Sequence, residues 1–138
     1  MSQKYKAMIL SCIDPRFQPI VFNFLNKKNL KGKYSSFTIA GAAIGVTSSK
    51  FKKWHKTFLE NVSISIKLHK IKKIIVINHR DCGAAKIINK KKDFNKSIET
   101  QIHIHSFKKI KKILKRKFSN LKVETFLVSL NKKIEKFK

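Results

Sequence analysis

Ile74-Ile75-Val76-Ile77 is an unbroken apolar run rich in β-branched side chains. Such a run is typical of a strand that is buried on both faces of a parallel sheet. Residues 7–10 form a second apolar run, and residues 37–40 and 123–128 are further strand candidates. The sequence therefore predicts a mostly parallel sheet of about four strands.

Apolar residues at helical spacing fill the stretches between these strands and predict amphipathic helices with core-facing stripes. Pro19 suits the first turn of a further helix through residues 20–25. Strands that alternate with helices predict a three-layer α/β fold, and the length suits one domain over residues 1–138. The stripe residues are Phe51, Trp54, Phe58, Val62 and Ile66 in one helix, and Ile98, Ile102, Ile110, Leu114 and Phe118 in another.

The formal net charge of +26 comes almost entirely from lysine, since Arg16, Arg80 and Arg116 are the only arginines. Specific readout of nucleic acids favours the planar arginine side chain. Abundant Lys, Ile, Asn and Phe with few glycines is what an AT-rich coding sequence produces. We expect no specific nucleic-acid partner, salt-dependent sticking to polyanions, and lysine runs such as residues 90–92 in solvated loops or helix faces.

The sequence contains no apolar stretch near the ~20 residues that span a bilayer, and its N-terminus lacks a signal-peptide pattern. We therefore expect a cytoplasmic protein without a membrane partner. The two cysteines are then a poor disulfide framework. They are available as metal ligands or nucleophiles, although a lone cysteine can also be a small buried apolar residue.

Two short motifs carry the candidate chemistry. Cys12-Ile13-Asp14-Pro15-Arg16 directly follows the first predicted strand, and His79-Arg80-Asp81-Cys82-Gly83 follows the third after one residue. In an open α/β sheet, ligands bind at the carboxyl ends of the strands, so both motifs can face one site. Zinc prefers thiolate and imidazole ligands, and Cys12, His79 and Cys82 would leave its fourth position open, as in catalytic sites.

Asp14 and Arg16 occupy alternate positions of the first motif, so their side chains can point to the same side and pair. An ordinary surface ion pair is the alternative interpretation. Gly83 suits the start of a helix, whose free N–H groups favour a negatively charged site.

Together these residues resemble the signature of the β-class carbonic anhydrases, Cys-x-Asp-x-Arg followed by His-x-x-Cys-Gly. The resemblance implies a sheet of order 2-1-3-4, a zinc ion at its edge, and a homodimer or higher homo-oligomer. Residues 38–42 keep only the Ala40-Gly41 pair of the segment Arg-Asn-Ala-Gly-Asn that is frequent in the family.

The function expected from these residues is reversible hydration of carbon dioxide to bicarbonate by a zinc-bound hydroxide. Asp14 is the candidate acceptor that orients the hydroxide, and Arg16 keeps Asp14 ionised and away from the metal. Without that contact, Asp14 could become a fourth ligand and close the site. A hydrolase of carbon disulfide or carbonyl sulfide, and a zinc-binding protein without hydration activity, are the alternatives.

Residues outside this set receive smaller roles. His103 and His105 are two positions apart, so on a helix they diverge by ~200° and cannot share an ion. We expect both to be exposed. Arg80 and Asp81 receive no role from the sequence.

Overall fold

The computed structural model describes residues 4–89 and 93–138, so the lysine run at residues 90–92 lies outside the described residues. The strands are β1 (Ala7–Ser11), β2 (Tyr34–Thr38), β3 (Lys73–His79), β4 (Lys122–Val128) and β5 (Ile134–Phe137). The α-helices are α1 (Gln18–Lys27), α2 (Ala43–Thr47), α3 (His55–His69), α4 (Gly83–Ile88) and α5 (Lys96–Lys117), and a 3-10 helix spans Ser49–Trp54.

The strands form one sheet in the order β2-β1-β3-β4-β5. The first four strands are parallel, which confirms the predicted order, and β5 adds an antiparallel edge that was not predicted. The β5 sequence, Ile-Glu-Lys-Phe, is partly exposed and has no apolar run, so it carries little strand signal.

Helices cover both faces of the sheet, as the three-layer prediction requires. On one face, Leu10 and Val76 pack with side chains of α3 and α5 such as Phe58 and Ile110. On the other face, residues of β1 and β3 pack with Phe17 and the α1 residue Leu25. Alternate residues of the buried strands therefore enter opposite cores, which explains their unbroken apolar sequence.

The helix boundaries depart from the apolar spacing at one place. The helix predicted around residues 51–66 breaks at Trp54, because Phe51 leaves helical geometry and its ring stacks on Trp54 with centroids 4.6 Å apart. The structure confirms Pro19 in the first turn of α1. Across residues 4–89 and 93–138, no helix is long and apolar enough to cross a membrane.

Gly45 lies where α2 passes over the loop that leaves β2. A Cβ atom at this position would overlap the carbonyl oxygen of Ala40. We expect Gly45→Ala to lower the free energy of unfolding by about 1–3 kcal/mol, the usual cost of overpacking. Urea unfolding measures this change. Gly83→Ala is the control, since a Cβ there meets no atom within 4 Å, and equal stability of the two variants would contradict the prediction.

Candidate metal centre

The two motifs meet at the carboxyl ends of the neighbouring strands β1 and β3. Cys12 follows β1, His79 is the last residue of β3, and Cys82 directly precedes α4. The order of the strands reverses between β1 and β3, which is where open α/β sheets form a crevice. The structure thus brings the three predicted ligands to one place. Their ligand atoms all lie within 4.8 Å of one another, and these residues could hold a metal ion.

The His79 side chain is fixed in one orientation. Its Nδ1 lies 2.7 Å from the Arg80 carbonyl oxygen, which can only accept a hydrogen bond, so Nδ1 carries the proton of the neutral ring. Phe17 stacks on the ring with centroids 4.0 Å apart. The other nitrogen, Nε2, is buried without a hydrogen-bond partner. It therefore presents a free lone pair, as a metal ligand requires.

The two sulfur atoms differ in their electrostatics. The interaction with the Cys82 thiol lowers the pKa of Cys12 to about 4, against an opposing effect of burial. The interaction with Cys12, together with burial, raises the pKa of Cys82. Burial lowers the pKa of His79, but contacts with the Cys12 sulfur and the Arg80 carbonyl outweigh it and raise the pKa overall. Because metals bind deprotonated ligands, the protein offers one ready thiolate and would release protons when a metal binds.

The loop after β2 supports the Cys12 sulfur. The Gly41 N–H donates to Cys12 Sγ at 3.2 Å. Gly41 has a φ of 80°, and a Cβ there would lie 2.6 Å from the Cβ of Ala84 in α4. After Thr38 the chain turns away from the sheet to reach the thiol. The observed strand β2 therefore ends at Thr38, whereas the predicted strand ended at residue 40.

Asp14 and Arg16 are in contact beside the cluster. The Arg16 Nε and Nη2 atoms donate to Asp14 at 3.1 and 2.7 Å, and the Arg16 backbone N–H donates to Asp14 Oδ1 at 3.0 Å. The Arg16 hydrogen bonds lower the pKa of Asp14 to about 2. Asp14 Oδ2 lies 3.8 Å from Nε2 of His79, so the ionised carboxylate borders the candidate metal position.

Asp81, which received no role from the sequence, joins the two motifs. Its carboxylate accepts from Arg16 Nη1 at 2.9 Å and from Lys86 Nζ at 2.8 Å, and its carbonyl oxygen accepts from Arg16 Nη2 at 3.1 Å. Asp81 has a φ of 56°, in the left-handed region. The chain therefore turns sharply between His79 and Cys82, and the turn is tied to Arg16.

The prediction that His103 is exposed is wrong. His103 is fully buried in α5, whereas His105 is exposed as predicted. The two side chains lie on different faces of the helix, since His103 continues the buried stripe that reaches Phe107 and Ile110. Burial lowers the pKa of His103 to about 3, so this ring is neutral.

Sequence reasoning also missed polar residues beneath the cluster. Asn78 Oδ1 accepts from the Ala43 N–H at 3.0 Å, and Asn78 Nδ2 donates to His103 Nδ1 at 2.9 Å. Glu99 is buried and accepts from the Cys82 N–H at 3.1 Å. One signal could have found Glu99: it is one of only seven acidic residues in the chain, and it lies four positions before His103 on the buried stripe.

Comparisons with known proteins agree with this arrangement. A family model described as "Putative carbonic anhydrase" matches residues 1–138. An uncharacterised protein of Rickettsia bellii is 34% identical over 130 residues, which cover 94% of this chain and 79% of that protein. An uncharacterised protein of Rickettsia conorii is 32% identical over 130 residues, which cover 94% and 70%.

Solved structures share the fold at low sequence identity. The β-carbonic anhydrase CafA of Aspergillus fumigatus has a TM-score of 0.66 and 9% identity, and the match covers 99% of this chain and 77% of that chain. A carbonic anhydrase of Glaciozyma antarctica has a TM-score of 0.62 and 18% identity over 99% and 83%. One of two tetrameric β-carbonic anhydrases of Sordaria macrospora has a TM-score of 0.60 and 13% identity over 99% and 82%. With the match of the family model to its full length, this chain belongs to the putative carbonic anhydrase family and has the β-carbonic anhydrase fold.

Proposed function

We propose that this protein binds one zinc ion through Cys12, His79 and Cys82 and catalyses the reversible hydration of carbon dioxide to bicarbonate. One observation carries the proposal. The Nε2 atom of His79 is buried without a hydrogen-bond partner, and it lies in one cluster with two cysteine sulfurs and beside an ionised carboxylate.

The donor set favours zinc over magnesium and calcium. Two thiolates and one imidazole are soft and borderline ligands, which suit zinc, whereas magnesium and calcium prefer oxygen. Three protein ligands leave one position of a tetrahedral ion free. When bound at such a site, zinc acidifies water and so supplies hydroxide near neutral pH.

Asp14 would orient the attacking oxygen. Since its pKa is about 2, the carboxylate stays ionised at neutral pH and can only accept hydrogen bonds. An acceptor at this place would take a hydrogen bond from the attacking O–H group and so orient it toward carbon dioxide.

Arg16 would keep Asp14 in this role. Its guanidinium forms ion pairs with both Asp14 and Asp81. Because Asp81 belongs to the second motif, a movement of Arg16 together with Asp14 would break the ion pair with Asp81. If the contact with Arg16 broke, the freed carboxylate would become the fourth ligand and close the site.

The likeness to tetrameric enzymes further supports a homo-oligomeric assembly.

Removal of the metal tests the proposed function. The purified protein should contain one equivalent of zinc by elemental analysis and should hydrate carbon dioxide in stopped-flow assays between about pH 7 and 9. Dialysis against a zinc chelator should abolish hydration, because the three ligands of this chain cannot acidify water alone. Added zinc should restore it, and added magnesium, the control, should not.

The outcomes separate the alternatives. A protein with one zinc per chain and no hydration would refute the enzyme function while keeping the metal site. Carbonyl sulfide hydrolysis by that protein would then identify the hydrolase alternative. A protein that takes up no zinc would refute the entire proposal.

A further inference from the structure

Glu99 is a carboxylate buried in the first turn of α5, with an exposed fraction of 5%. An ionised group at this depth is unfavourable unless hydrogen bonds and opposite charges compensate it. Its partners therefore indicate what the residue stabilises.

Within the described residues, the close side-chain contacts of Glu99 reach Cys82 and Arg80 of the second motif and His103 of the same helix. Glu99 Oε2 accepts the Cys82 N–H at 3.1 Å, and Oε1 lies 3.9 Å from Arg80 Nη1. Nε2 of His103 lies 4.0 Å from Oε2. The Asn78 amide donates to Nδ1 of the neutral His103 ring, so the proton of this ring is on Nε2, the nitrogen nearer to the carboxylate.

Arg80 links the Glu99 carboxylate to the backbone beside His79, at the first residue of the second motif. Its Nη1 donates to Thr100 Oγ1 at 2.5 Å and to the Lys96 carbonyl oxygen at 3.3 Å, both in the first turns of α5. Its own carbonyl oxygen accepts the hydrogen bond of His79 Nδ1. The start of α5 thus holds the backbone next to His79 through Arg80 and the backbone of Cys82 through Glu99.

We propose that Glu99 is a positioning residue, which fixes the Cys82 amide and, with Arg80, sets the distance between the His79 and Cys82 ligand atoms. This inference rests on the proposed metal site, but it does not depend on carbon dioxide hydration. Glu99 is not among the residues whose ligand atoms cluster at the candidate metal position, so it would act through the ligands.

Two conservative variants separate the effect of side-chain length at position 99 from the effect of its negative charge. Glu99→Gln keeps an oxygen that can accept the Cys82 N–H but removes the negative charge. Glu99→Asp keeps the charge but is one methylene shorter, so its carboxylate cannot reach the amide without moving the helix. A positioning role requires reach, and loss of a contact that supports a ligand typically weakens metal binding about 10- to 100-fold.

The measurement is zinc affinity by competition with a chromogenic chelator, with the thiolate-to-metal absorption of the cobalt-substituted protein as a second readout. We expect Glu99→Asp to bind zinc at least about 10-fold more weakly with an altered cobalt spectrum, and Glu99→Gln to stay within about 3-fold of wild type. Ile110→Val, the control, loosens the buried face of the same helix and should leave both readouts unchanged.

Three results would overturn the inference: wild-type affinity in Glu99→Asp, greater weakening by Gln than by Asp, or equal weakening by Asp and by the Ile110 control. Wild-type protein that binds zinc without hydrating carbon dioxide would refute the proposed function alone. Wild-type protein that binds no zinc would refute both.

Discussion

Cys82→Ser is expected to reduce zinc binding and carbon dioxide hydration together. The substitution replaces a thiol, which would bind zinc as a thiolate, with a hydroxyl, a far weaker zinc ligand, at a position with an exposed fraction of 1%. Since loss of a supporting contact alone costs up to about 100-fold in metal affinity, loss of a ligand should cost more. Elemental analysis after dialysis should find less than a tenth of the wild-type zinc, and stopped flow should detect little hydration.

The control for this variant is His105→Ala, which removes an exposed histidine of α5 outside the cluster. It should keep the zinc content and hydration rate of the wild type. Circular dichroism on Cys82→Ser should show the wild-type secondary structure, because serine and cysteine are similar in size. A Cys82→Ser protein that retained full zinc would exclude Cys82 as a ligand.

Asp14→Asn should separate turnover from metal binding. The side-chain amide keeps the shape of the carboxylate but is neutral, and it can turn an N–H group toward the attacking oxygen. We expect hydration to fall at least about 100-fold, the scale of a lost proton-directing group, while zinc content stays at one per chain. Stopped-flow hydration and elemental analysis on the same sample measure the two effects.

Glu60→Gln is the matched control, since it makes the same carboxylate-to-amide change at an exposed position of α3. It should hydrate carbon dioxide at the wild-type rate. Undiminished hydration by Asp14→Asn would refute the orienting role. If Asp14→Asn instead lost its zinc, Asp14 would be a ligand in the working protein rather than a partner of the attacking oxygen.

The elements with the strongest local signals were predictable from sequence. Residues 74–77 are buried on both faces, and such strands keep an apolar sequence without breaks. The two motifs could be placed together because parallel strands end at the same edge of a sheet. This rule brings Cys12 and His79 into one site without knowledge of any contact.

What the sequence did not reveal depends on tertiary contacts. The polar residues Glu99 and His103 are buried because the turn of Cys82 and the Asn78 side chain offer them partners, and no local pattern specifies those partners. The end of β2 shifts because Gly41 leaves the sheet to donate to Cys12. The edge strand β5 forms because β4 offers free backbone groups to a short, weakly apolar tail.

The position of the three candidate ligands also links the metal to the mechanics of the sheet. Cys12 stands at the end of β1, while His79 and Cys82 stand at the end of β3, far away along the chain but adjacent in the sheet. An ion held by all three would act as a cross-link between neighbouring strands, much as a disulfide joins distant segments. Fraying of either strand at this edge would then require breaking a metal–ligand bond. The metal would therefore hold the strands together at the same end of the sheet that performs the proposed chemistry.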